Sequence, residues 1–143
     1  MILFDASVLV ASLIEDHPHF EKSNLWLQKV VSGKSKGAVS NHCLAELYSA
    51  LTTIPVVPRI RSDQAFQLIE ESVLKYFKIY EYKIQDYTDV LKESSLNSLK
   101  GGMVYDALHI QAAKKLKASF VLTLNLKHFL MIWPDGKKIL KSP

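Results

Sequence analysis

Met1-Ile2-Leu3-Phe4-Asp5, followed by Ser7-Val8-Leu9-Val10-Ala11-Ser12-Leu13-Ile14, decides the fold. The first stretch is an apolar run halted by an acid, and the second is too apolar for a surface loop. Together they predict a short buried strand and then a helix. A strand that is apolar throughout, rather than at alternate residues, is covered on both faces, which is the condition of a parallel sheet.

The same alternation continues outward. Pro18 opens a helix whose stripe of Phe20, Leu25, Trp26, Leu27, Val30 and Val31 ends at Gly33. Gly37-Ala38-Val39-Ser40 reads as a second strand, and Asn41 as the cap of a helix carrying Leu44, Leu47, Tyr48 and Leu51. Ile54 to Arg61 holds two prolines and is a connection. Ser62 or Asp63 is expected to cap a helix from Ala65 to Tyr76. Phe77 to Tyr80 is a third strand, Gln85 to Leu99 a helix, and Gly101-Gly102 a break. Met103 to Leu116 is helical and Phe120 to Leu124 a fourth strand; a short helix around Lys127 to Met131 and a final strand at Lys138 to Leu140 follow. The expectation is one α/β domain over residues 1–143, with three layers around a parallel sheet of four to five strands.

At 48% hydrophobic and 22% charged residues the chain has the composition of a globular domain, which excludes global disorder. Cys43 is the only cysteine, so an internal disulfide framework and a zinc site of the cysteine-pair kind are excluded. A reducing, cytoplasmic setting fits best. No basic segment precedes the first apolar run, and Val8 to Ile14 is short and interrupted by Ser12, so neither export nor membrane insertion is expected. The net charge of +4 is mildly basic and favours a polyanionic partner only weakly.

Ligands of an open parallel sheet bind beyond the carboxyl ends of its strands. Asp5 ends the first strand there, and Thr123 and Asn125 sit at the end of the fourth. Ser40, Asn41 and His42 lead from the second strand into the helix that carries Glu46, and Asp106 stands in the first turn of the helix after Gly101-Gly102. Each acid has a plain reading: Asp5 as a helix cap, Asp106 as a complement to the helix dipole, Glu46 as a solvent-facing residue. Together they say more. Three carboxylates converging in a partly buried crevice repel one another unless a cation joins them, and all-oxygen ligation selects magnesium or manganese. His17 and His19, beside Pro18, fit a polar loop better than a metal site; His42 either meets substrate or bonds to backbone, and Cys43 reads as core. There is no phosphate-binding glycine loop, dinucleotide fingerprint or serine-hydrolase signature. A phosphoryl-transfer enzyme with an aspartate nucleophile needs Asp-x-Asp where this chain has Asp5-Ala6-Ser7.

Four segments in register resemble the PIN domain, and most closely the VapC-type toxins of type II toxin-antitoxin systems. They are Met1 to Ser7, Leu44-Ala45-Glu46-Leu47-Tyr48, Tyr105-Asp106-Ala107-Leu108-His109-Ile110-Gln111-Ala112-Ala113, and Val121-Leu122-Thr123-Leu124-Asn125-Leu126-Lys127-His128-Phe129. The resemblance implies a ribonuclease dependent on Mg2+ or Mn2+, with Asp5, Glu46 and Asp106 as metal ligands and Asn125 beside them in the catalytic group. Ser7 and Thr123 match the polar positions that hold ligands or water in place. Asn125 and His128 stand where the family often has acids, which weakens the case for a second metal. Lys34, Lys36, Arg59 and Arg61, all in connections, are candidates to hold the RNA backbone, and His128 is a further candidate to meet phosphate. A cognate antitoxin and a homodimer are implied as partners. The alternative is a catalytically silent PIN-like module that binds RNA or protein.

Overall fold

The computed structural model describes residues 1–143. Strands β1 (Ile2–Phe4), β2 (Gly37–Ser40), β3 (Lys78–Tyr80), β4 (Phe120–Leu122) and β5 (Leu140–Lys141) form one sheet in the order β3-β2-β1-β4-β5, every pair parallel. The connecting helices are α1 (Ala6–Leu13), α2 (Phe20–Val31), α3 (Asn41–Thr53), α4 (Ser62–Ile69), α5 (Ile84–Leu96), α6 (Met103–Leu116) and α7 (Leu126–Ile132). This is the expected three-layer α/β fold. No helix is long and apolar enough to cross a membrane.

The uniformly apolar strands are explained by two separate cores. Ile2 and Phe4 of β1, Val39 of β2 and Leu122 of β4 join the core built with Val8, Leu9, Leu47 and Leu51 of α1 and α3. Their neighbours Leu3, Ala38 and Val121 join a second core with Ile110, Ala113 and Phe129 of α6 and α7. Successive strand residues point to opposite faces, so both faces must be apolar for both helical layers to dock.

Several boundaries differ from expectation. Ser40, not Asn41, caps α3: its Oγ accepts the Cys43 N–H at 3.1 Å, and Asn41 is the first helical residue. Arg61, rather than Ser62 or Asp63, precedes α4, its backbone N–H donating to Gln64 Oε1 at 3.0 Å. The helix expected through Tyr76 becomes α4 followed by a π-helical turn, Glu70–Leu74. Phe77 lies outside β3 and packs edge-on against Phe4, with ring centres 5.1 Å apart. It also closes over Gly37, where a Cβ would come within 2.7 Å of the Phe77 ring. α5 stops at Leu96 because Ser98 takes a left-handed conformation (φ 53°) and the Leu99 N–H turns back to the Ser94 carbonyl at 2.9 Å. Pro134–Lys138 form a 3-10 turn, which moves the last strand to Leu140–Lys141.

From the central β1 the chain builds outward to β2 and β3 on one side, then crosses to β4 and β5 on the other. The switch point therefore lies between the carboxyl ends of β1 and β4, where side chains from separate elements meet in a natural crevice.

Candidate active site

Asp5 leaves β1 at that switch point and is 6% exposed. Its carbonyl starts α1, accepting from Val8 N at 3.1 Å and Leu9 N at 3.2 Å, while its carboxylate makes no cap bond. The side chain is held from elsewhere: Ser7 Oγ and Thr123 Oγ1 both donate to Oδ2, the latter at 2.8 Å. Each hydroxyl also accepts a backbone N–H, Leu124 to Ser7 at 3.1 Å and Asn125 to Thr123 at 3.0 Å. These four bonds tie the end of β1 to the turn after β4 and explain why that strand stops at Leu122 rather than Leu124. The helix-cap reading of Asp5 is thereby excluded.

A cleft of about 930 Å3 opens over this point, and Asp5, Ser7, Glu46, Asp106, Asn125 and His128 all line it. Thr123 is fully buried beneath. Glu46 comes from the middle of α3 and Asp106 from the first turn of α6. Burial raises the Glu46 carboxyl above the ordinary carboxylate range; His109 opposes the rise, and Asp5 and Asp106 add to it. Burial likewise raises Asp106, with Asp5 adding and His128 and His109 opposing. The three acids thus sense one another's charge across one cavity. They do not close into a cage: no three acidic, histidine or cysteine side chains converge tightly enough to enclose an ion. An open set of carboxylates beside water suits magnesium, which keeps several waters and takes only one or two carboxylates directly.

The four cations expected to hold the RNA backbone do not line this cleft. Lys34 and Lys36 precede β2, and the Lys36 carbonyl accepts the Ile2 N–H at 2.8 Å, which places them at the amino edge of the sheet. In an all-parallel sheet, residues before a strand and residues after it lie at opposite edges. Arg59 lines a different cavity with Pro58, Gln64 and Gln67. Arg61 is paired in solvent with Asp63 through bonds of 2.9 and 2.6 Å. The acidic cleft is lined by His17, His19 and His128 and by no lysine or arginine. His128 is largely exposed, with Nδ1 3.9 Å from Asp106 Oδ2.

Two features escaped the sequence reading. His109 is buried on α6, with its Nε2 donating to the Phe4 carbonyl at 3.0 Å and its ring edge-on to Phe129, and it moderates both raised carboxyls. Its position three residues after Asp106 on α6 was the available signal. His42 stacks on Tyr105 with centroids 5.0 Å apart and places Nε2 3.0 Å from Glu46 Oε1. The stack joins α3 to α6 and had no sequence signal, whereas His42 and Glu46, four residues apart on α3, share a helix face that the spacing shows.

Residues 2–129 match the family model of the PIN domain. The chain belongs to the PIN domain family. Among solved structures, this PIN domain superimposes on VapC20 of Mycobacterium tuberculosis, titled a sarcin-ricin loop cleaving toxin, with a TM-score of 0.65 and 12% identity over 85% of this chain and 87% of the other. FitAcB of Neisseria gonorrhoeae gives 0.65 and 18% over 92% and 93%. A structure of FitAB bound to a DNA fragment gives 0.68 and 17% over 100% and 95%. At these identities the likeness is one of fold. No curated protein is a significant sequence match.

Proposed function

We propose that this PIN domain is an endoribonuclease that hydrolyses RNA phosphodiester bonds with the help of Mg2+ or Mn2+, and that it is the toxin of a toxin-antitoxin pair. The observation that carries the reading is the meeting of Asp5, Glu46 and Asp106, from three separated elements, in one cleft at the switch point of the sheet. Those three carboxylates would hold the metal, which when bound supplies a Lewis acid and a more acidic water. Ser7 and Thr123 fix Asp5 Oδ2, so the carboxylate is presented in one orientation without reorganisation during the reaction. Burial and the neighbouring acids raise Glu46 and Asp106, and a cation held among the three carboxylates would offset both causes. Asn125 lines the cleft with its backbone bonded to Thr123, and its amide serves as a neutral donor to a phosphate oxygen.

The partners proposed with this reading are an RNA substrate, a cognate antitoxin and a second copy of the chain, in a cytoplasmic setting. The likeness to VapC20, a sarcin-ricin loop cleaving toxin, together with the family, is what supports the toxin role. The open placement of the acids, with the non-acidic Asn125 and His128 beside them, favours one second reading, a silent module that binds RNA or protein. Incubating the purified chain with defined RNAs, with and without Mg2+ or Mn2+, separates the two. Cleavage that needs the ion and disappears in Asp106→Asn is expected. RNA binding with no cleavage under either ion would overturn the enzymatic reading.

A further inference from the structure

Tyr105 is 50% exposed on the wall of the acidic cleft, one residue before Asp106. An aromatic ring that open adds little to the core, yet it is not loose. It stacks on the His42 imidazole at 27° between ring planes, and His42 is itself anchored through Nε2 to Glu46 on α3. One face of the tyrosine is thus covered by a fixed ring, and the assembly borders the cavity that holds the carboxylates. The same cavity has no lysine or arginine in its walls, so beyond a cation at the carboxylates the walls offer little charge attraction to the rest of a polyanion. Stacking on an aromatic face needs no cation and works with any base.

We infer that Tyr105, backed by His42, is a stacking platform for an unpaired nucleobase flanking the phosphate at the carboxylates. The inference rests on the ribonuclease reading and deepens it. A base in a duplex is stacked and paired and cannot offer its face to a protein ring, whereas one in a loop or single strand can. Because His42 is tied to Glu46, the platform has a defined position relative to the acids and fixes how far the stacked base lies from the phosphate.

The test is a cycle between the ring and the base. A single-stranded oligonucleotide that the protein cleaves, and a copy abasic beside the cut, are titrated by fluorescence anisotropy with Mg2+ in the Asp5→Asn background, which leaves RNA intact. Tyr105→Ala should weaken binding of the complete strand by about 5- to 150-fold, the range for loss of one stacked base. Tyr105→Phe should retain it. The abasic strand should bind weakly to the protein with Tyr105 and lose nothing more in Tyr105→Ala. In the cleaving protein the alanine variant should raise KM more than it lowers kcat. Equal abasic penalties with and without the ring, or preferential cleavage of duplex RNA, would overturn the platform while leaving the ribonuclease intact. No cleavage of any RNA by the unmodified chain would bring down the ribonuclease reading and the platform with it.

Discussion

Thr123→Val tests the support beneath the candidate site, because it keeps the shape of a fully buried side chain while deleting its hydroxyl. Two bonds go: the donation to Asp5 Oδ2 at 2.8 Å and the acceptance of the Asn125 N–H at 3.0 Å. A hydrogen bond to a charged group contributes about 1.5–3 kcal/mol, and the stranded amide adds up to about 1 kcal/mol after partial hydration at the cleft, giving roughly 2–4 kcal/mol. At about 3 °C per kcal/mol for a domain of this size, the melting temperature should fall by about 6–12 °C. Thr123→Ser is the control, since it keeps both bonds and loses one methyl, at a cost of about 1 kcal/mol. Asp5 in the valine variant retains only Ser7 and rotates more freely, so cleavage should drop about tenfold or more, the effect of about 1.4 kcal/mol lost in the transition state. Thermal unfolding and RNA cleavage, run on both variants, check the two effects. If Thr123→Val were as stable and as active as Thr123→Ser, the hydroxyl would have no part in holding Asp5.

Asp5→Asn should fold, because Ser7 and Thr123 both donate to Oδ2 and the amide carbonyl can take that place with its NH2 toward the cleft; cleavage should fall by about 100-fold or more, the equivalent of several kcal/mol of lost charge stabilisation. Glu46 and Asp106 bind protons more tightly folded than unfolded, so the stability they contribute without metal is full below the ordinary carboxylate range and is lost as pH rises from there through their raised values. Chemical denaturation across that interval should show the loss, Glu46→Gln should flatten it and added Mg2+ should offset it; a metal-free profile unchanged by Glu46→Gln would refute the coupling. Asp63 and Asp86 are lowered instead and contribute the opposite slope, at more acid pH. His128→Asp places a carboxylate at the position 3.9 Å from Asp106, and calorimetric titration with Mn2+ should gain a second binding event; an unchanged isotherm would put residue 128 outside the ligand set.

The amino-acid sequence by itself determined the order and type of the elements. Short apolar strands such as Ile2–Phe4 and helical stripes such as that of α2 are local patterns, and a strand apolar on both faces admits only a sheet covered on both sides. It also singled out Asp5, Glu46 and Asp106, since an acid in apolar company is visible in one dimension. Tertiary structure decided which groups face those acids. Lys34 and Lys36 are cationic side chains in a connection, but the common direction of the strands carries them to the far edge of the sheet. His109 and the His42–Tyr105 stack depend on how α3 and α6 pack against β1, a rotation of helices about their axes that no local pattern encodes. The clasp of Ser7 and Thr123 on one carboxylate oxygen joins residues 118 positions apart from Asp5 to Thr123, and exists only because β1 and β4 are neighbours in the sheet.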